Sequence, residues 1–280
     1  MTAPRERRIN LPHLALAAQS WGDDRLPPLL ALHGWLDNAG SHALLAPQLA
    51  AHFHVIALEL PGHGHSGHLP AGASYTYADY VRTVLAAADA LGLARYALLG
   101  HSLGAGIASL VAAATPSRIT RLWLLEGLGP LGDDGTQTLQ RFRDALASAS
   151  PRKPLRVFRS IEQAISARSI ASGLRGDLAR PIVTRGLVED GDGWRWRSDP
   201  RVMQASPVRL AESQVQALLR GIAAPTALLL AQPATSYLPA ALMQARADAV
   251  AGITVNHMDG GHHLQLEHPV AVAHWLLAGA

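Results

Sequence analysis

Along most of the chain, short apolar runs alternate with segments whose apolar side chains recur at helical spacing. Residues 28–32 (Pro-Leu-Leu-Ala-Leu), 54–58 (His-Val-Ile-Ala-Leu), 96–99, 121–125 and 226–231 are apolar nearly throughout. Runs of this kind predict strands buried on both faces, because a half-exposed strand would alternate with polar residues. Between them, residues 41–51, 79–91, 103–114 and 239–250 predict helices, with Ser41 as the N-cap of the first. Residues 9–16 alternate loosely and predict an edge strand or hairpin ending near Trp21-Gly22. A strand at 253–255 and a helix at 269–277 close the chain. Strands alternating with helices predict an α/β fold, with a mostly parallel central sheet covered by helices on both faces.

The alternation stops between residues 130 and 205, where only polar helical pieces appear, at 138–148 and 161–169. The expected organisation is a core made of 1–129 and 206–280, interrupted by a helical cap at 130–205. Thirteen basic and nine acidic side chains fall in the insertion, so the chain's whole positive excess (net charge +3) resides there. Trp194 and Trp196, near its end, either line a pocket or pack the cap edge, and packing is the expected role.

Composition narrows the function classes. Of 280 residues, 49% are hydrophobic and 16% charged, which supplies a sizeable core and excludes a disordered chain. The absence of cysteine excludes disulfides, thiolate zinc sites and a cysteine nucleophile. Lys153 is the only lysine, and the densest basic run, residues 5–8 (Arg-Glu-Arg-Arg), is short, so no nucleic-acid partner is expected. The longest mostly apolar run, 96–114, is broken by Gly100, His101, Ser102, Gly104 and Gly106. No membrane insertion follows from it, no signal-peptide core precedes Trp21, and a cytoplasmic location is expected.

Gly100-His101-Ser102-Leu103-Gly104 fits G-x-S-x-G between an apolar run and a small-residue helix. A strand-to-helix turn at that point holds Ser102 in a strained, exposed conformation. A serine hydroxyl needs a base from elsewhere in the chain. His262, in the loop Asp259-Gly260-Gly261-His262-His263 after the last strand, meets that need, with His257, His263 and His268 as local rivals.

His33-Gly34-Trp35, Pro61-Gly62-His63-Gly64-His65-Ser66, the Ser102 motif and the stretch Gly261-His262-His263-Leu264-Gln265-Leu266-Glu267-His268-Pro269 follow one another in order. In this combination the chain resembles the α/β-hydrolase superfamily, in its capped serine-hydrolase and esterase group, over nearly its whole length. The resemblance implies that Ser102 is the nucleophile and His262 the base, and that the amides of Trp35 and Leu103 form the oxyanion hole. One departure stands out. Most relatives carry the triad acid just after the strand equivalent to 226–231, where this chain continues Gln232-Pro233-Ala234-Thr235-Ser236-Tyr237 without a carboxylate. Glu126, directly after the strand 121–125, stands where certain haloalkane dehalogenases place their acid. It is therefore the expected third member, with Asp259 and Asp248 as rivals, while Glu59 is expected to be structural.

Serine rather than aspartate at the elbow points to acyl transfer on a small-molecule acyl substrate. Ester hydrolysis leads, with thioester, lactone or carbon–carbon cleavage as alternatives on the same residues. A non-catalytic ligand-binding protein is the alternative of another class. No metal or organic cofactor is implied.

Overall fold

The apolar runs pair edge to edge in the computed structural model of the chain, which describes residues 3–147 and 156–278. In chain order the strands are β1 (Arg5–Leu11), β2 (Leu14–Trp21), β3 (Pro28–Leu32), β4 (His54–Leu58), β5 (Tyr96–His101), β6 (Ile119–Leu125), β7 (Leu187–Asp190), β8 (Gly193–Trp196), β9 (Thr226–Gln232) and β10 (Thr254–Asp259). Eight of them form one sheet in the order β1-β2-β4-β3-β5-β6-β9-β10, and β7 and β8 pair separately. The β1–β2 hairpin is antiparallel and joins β4 antiparallel, while β4, β3, β5, β6, β9 and β10 run parallel.

Successive residues of the central strands enter opposite cores, as the two-residue period of a strand requires. Leu30 and Leu32 of β3, Leu98 of β5, Leu122 and Leu124 of β6 and Leu228 and Leu230 of β9 bury against one face. Leu29 and Ala31, Ala97 and Leu99, Trp123 and Leu125, and Leu229 and Ala231 bury against the other. The first face is covered by α2 (Tyr77–Ala90) and α3 (Leu103–Ala114), with residues of α7 (Glu212–Leu219) and α8 (Ala240–Ala247). The second is covered by α1 (Ala46–Leu49) and α10 (Pro269–Ala278), and α9 (Leu264–Glu267) contributes Leu264. Having both faces covered is what makes these strands read as unbroken apolar runs. At the sheet's edges β1 buries only Ile9 and Leu11, and no residue of β10 is fully buried.

The insertion folds as α4 (Thr138–Ala147), α5 (Ile161–Ser172), α6 (Gly176–Gly186), the β7–β8 hairpin and a 3-10 turn at Pro200–Met203. It has its own apolar cluster of Phe158, Ala164, Ile165, Leu174, Ala179, Ile182, Val183 and Leu187, which the core's Leu266 joins. Trp194 and Trp196 pack against that cluster, and Phe158 meets Trp196 edge-on with ring centroids 5.5 Å apart.

Three sequence expectations are corrected. The helix expected over 41–51 is a 3-10 turn, Ala39–His42, followed by the single turn α1. Asn38, not Ser41, caps the first by accepting from the Gly40 amide at 2.9 Å, and Pro47 starts the second afresh because it has no N–H to continue the first. The hairpin β7–β8 lies where no strand is expected, since four-residue strands are too short to display a period. Helix α7 also has no counterpart in the sequence reading. Ser148, the end of the expected helix 138–148, and Lys153 lie outside the described residues. Among the described residues no helix is long and apolar enough to cross a membrane.

Two buried carboxylates tie the insertion to the core. Glu59, at the end of β4, is fully buried and accepts from the backbone amides of Ala39 (3.1 Å) and His65 (2.7 Å). Arg185 of α6 reaches it with Nε at 2.6 Å and extends to Glu6 of β1 at 2.8 Å. Asp37, in the loop after β3, is paired with Arg168 of α5. Removing one partner of a buried ion pair strands the other charge in a low dielectric. Arg185→Met is therefore expected to cost about 3 kcal/mol of stability, read from the urea midpoint at unchanged slope. A loss below about 0.5 kcal/mol would show that Glu59 does not depend on it.

Several core histidines are buried neutral. Burial, helped by its neighbour His63, pushes His33 down to about 3, and burial pushes His42 down to about 4. In the unfolded chain both titrate near 6.5, so on acidification the unfolded state takes up protons that the folded state refuses. Stability is thus expected to fall from pH 6.5 downward, by on the order of 1 kcal/mol per pH unit for each such histidine. Urea midpoints measured between pH 7 and pH 5, above the carboxylate range, check this, and a flat profile would contradict it.

Candidate active site

Ser102 sits between β5 and α3 at φ 52°, ψ −113°, a left-handed region that a side chain enters only when the surroundings enforce it. Its amide donates to the Leu125 carbonyl of β6 at 2.9 Å, and its carbonyl accepts from Gly106 at 3.0 Å, so backbone bonds on both sides hold the turn. The motif's glycines are steric necessities. A Cβ on Gly100 would lie 2.5 Å from the Gly104 carbonyl oxygen, and one on Gly104 would lie 2.4 Å from that of Leu32. Without side chains there, α3 folds back onto β5 and β3 ends beside the elbow. Ser102 itself is partly exposed.

Glu126 follows β6 directly, again at positive φ (54°), and is 2% exposed. Its amide donates to Leu229 of β9 at 3.0 Å. Its Oε1 accepts from the Ala231 amide at 2.5 Å, and its Oε2 lies 3.0 Å from His262 Nδ1. The carboxylate thus crosses from β6 to the end of β9, the strand whose following loop carries no acid. His262 is delivered by the loop after β10. Gly260 N–H donates to the Gln232 carbonyl at 3.1 Å, and Gly261 N–H donates to Glu267 at 2.7 Å. The His262 carbonyl accepts from His101 Nε2 at 2.7 Å, which fastens this loop to the residue before Ser102. Tyr237 lies edge-on to the His262 ring with centroids 5.3 Å apart, and burial together with the Glu126 charge pushes its phenol up to about 12.

With Nδ1–H given to Glu126, the His262 Nε2 lone pair is free. Among the described residues no hydrogen bond joins it to the Ser102 hydroxyl. The rivals lie elsewhere: Asp259, Asp248, His257 and His268 are exposed, and Asp248 accepts from Gln244 at 2.7 Å. His263 is buried and faces Asp37.

The loop after β3 is shaped by His33, whose Nε2 accepts from the Leu60 amide at 3.0 Å while Nδ1–H donates to the Gly34 carbonyl at 2.8 Å. Burial keeps this ring neutral, which permits that pairing. Leu36 turns the loop at φ 59°, and the Asp37 amide closes it on Gly34 at 3.2 Å. Among the described residues the amides of Trp35 and Leu103 have no hydrogen-bond partner. The Trp35 side chain is half-exposed, and its indole donates to the Val202 carbonyl of the insertion at 2.9 Å. Asp37, Arg168, Glu267 and Tyr237 have no assigned part in the sequence reading. Asp37 stands four residues after His33 in a short polar loop, the one signal that could have singled it out. A cavity of about 260 Å³ opens beside Glu126, lined by residues 230–235, Leu238, Ala240 and His257, away from Ser102.

Comparisons with known proteins agree with this architecture. A family model described as alpha/beta hydrolase fold matches residues 27–269. A serine hydrolase-like protein of Danio rerio is 29% identical, over 97% of this chain and 86% of its own length. One from Dictyostelium discoideum is also 29% identical, over 94% of this chain and 77% of its own. Among solved structures, a hypothetical protein from Pseudomonas aeruginosa PAO1 superposes with a TM-score of 0.91 at 38% identity, covering 98% of each chain. The thioesterase domain from the curacin biosynthetic pathway superposes at 0.85 with 26% identity, over 99% of this chain and 100% of that one. With a parallel sheet that carries a serine elbow at its centre and a family match across most of its length, the chain belongs to the α/β-hydrolase fold family and is a hydrolase of that fold.

Proposed function

We propose that the protein is a serine hydrolase that cleaves carboxylic esters of small acyl substrates through an acyl-enzyme. The observation that carries this reading is the 3.0 Å contact of Glu126 Oε2 with His262 Nδ1, in a loop tied by His101 to the strained Ser102 turn. Glu126 holds the imidazole in the tautomer that leaves Nε2 basic and stabilises the imidazolium once it forms. Ser102 attacks the acyl carbon as His262 takes its proton. The amides of Trp35 and Leu103 stabilise the oxyanion, such donors being worth roughly 3 kcal/mol each. His262 then protonates the leaving alcohol and activates the water that releases the acid. The contact between serine and histidine is often long without substrate and tightens in the Michaelis complex, so its absence here leaves the reading intact.

The insertion serves as a cap in this reading. It is clamped by Asp37 and Glu59, and through Val202 it touches the side chain of the residue whose amide faces the oxyanion. Thioester hydrolysis is a second reading, favoured by the likeness to the curacin thioesterase domain. It uses the same residues and differs in the leaving group.

Incubation with a fluorophosphonate, followed by mass mapping, tests the nucleophile. We expect one adduct, on Ser102, absent from Ser102→Ala. Folded protein that takes no label would favour a ligand-binding role on the hydrolase fold. Against a panel of esters and thioesters, Glu126→Gln is expected to lower turnover roughly 10³- to 10⁴-fold with little change in KM. Near-normal turnover in that variant would remove Glu126 from the triad.

A further inference from the structure

Beside the elbow three buried side chains converge: Asp37, His101 and His263. Asp37 Oδ2 lies 3.7 Å from His101 Nδ1 and 3.3 Å from His263 Nε2, and all three donor atoms lie within 4.8 Å of one another. Donors about 2.0 Å from a tetrahedral ion stand roughly 3.3 Å apart, so this triangle is close to the size an ion would close.

The hydrogen bonding points the same way. His101 is fully buried and donates Nε2–H to the His262 carbonyl at 2.7 Å. With Nε2–H given to that carbonyl, the lone pair of the imidazole resides on Nδ1. That Nδ1 is buried without a hydrogen-bond partner and faces Asp37 Oδ2, lone pair toward carboxylate, an arrangement that calls for a cation between them. A ring with one nitrogen bound to a carbonyl and the other left bare is the usual arrangement of a metal-ligating histidine. Asp37 is likewise held from outside. Its Oδ1 takes Arg168 and its Oδ2 takes the Ser41 hydroxyl at 3.2 Å, while Gln265 in turn donates to Ser41 at 2.9 Å. Room comes from Gly34. A Cβ there would lie 3.0 Å from His101 Nδ1 and 3.3 Å from Asp37 Oδ2, so the missing side chain leaves the fourth side of the triangle open.

We propose that Asp37, His101 and His263 form a site for a divalent transition-metal ion of the zinc type, completed by a ligand beside Gly34. Two imidazoles and one carboxylate suit zinc, copper or nickel and not calcium or magnesium. Arg168, on the other carboxylate oxygen, competes for the same negative charge, so the ion binds reversibly and is not required for folding. The site does not depend on which bond the enzyme cleaves, and its test reads binding alone.

The full-length protein, stripped with a chelator, is titrated with Zn²⁺ by calorimetry and by thermal unfolding, with Mg²⁺ and Ca²⁺ as controls. We expect one Zn²⁺ per chain and a raised Tm. His263→Gln is expected to weaken binding at least about tenfold and to abolish the Tm shift, and His257→Gln, at an exposed position, to change neither. Equal binding by wild type and His263→Gln, or loss of binding in His257→Gln, would mean an adventitious surface ion and overturn the proposal. If His263→Gln does not fold, Co²⁺ bound to the wild type decides. Strong visible bands of a tetrahedral nitrogen–oxygen site support the proposal, and the weak spectrum of an octahedral, water-rich ion refutes it.

Discussion

Everything at the carboxyl edge of the sheet depends on how two buried carboxylates are neutralised. Asp37 and Glu59 are almost wholly removed from water, and an isolated charge in that position is prohibitively costly. Each is met by an arginine from the insertion, Arg168 and Arg185 respectively. Each also organises its own surroundings: Glu59 gathers the amides of Ala39 and His65, and Asp37 faces His101 and His263. The insertion therefore cannot settle anywhere else without leaving two charges unmatched. Asp37 stays ionised in spite of its burial because the Arg168 guanidinium pairs with it.

The same edge brings Glu126 to His262. Parallel neighbours β6 and β9 end side by side, so a carboxylate leaving β6 can take a backbone amide from β9 and still reach the loop after β10. Positive φ at Glu126, like that at Ser102, is local strain held by bonds to the adjacent strand. A pair of strained residues at two neighbouring strand ends is how a sheet points two side chains into one small volume.

How much of this was legible in the sequence follows from where each residue's constraints come from. Strands β3, β4, β5, β6 and β9 were legible because burial on both faces leaves no polar gaps in them. Ser102 stood out because the glycines around it are demanded by close backbone approach, and His262 because it sits in a glycine loop after the last strand. Glu126 was reachable only by asking which strand end carried a carboxylate once the usual one lacked it. Arg168 and Arg185 were not legible. Their partners lie more than a hundred residues away, and one arginine among many in a basic insertion carries no mark of the charge it will meet. The hairpin β7–β8 was hidden for a different reason, since four residues hold at most two repeats of a strand's period.

With Glu126 as the acid of the proposed mechanism, the loop after β9 is under different demands. The segment between β9 and α8 meets the His262 ring through Tyr237, and it borders the cavity beside Glu126. The amide that Glu126 accepts from belongs to Ala231, inside β9, and is a backbone group that any residue except proline supplies. In the proposed mechanism residues 233–236 carry no acid. They form a natural point for loop exchange or insertion, where new recognition could be grafted beside a working hydrolase without redesigning its centre.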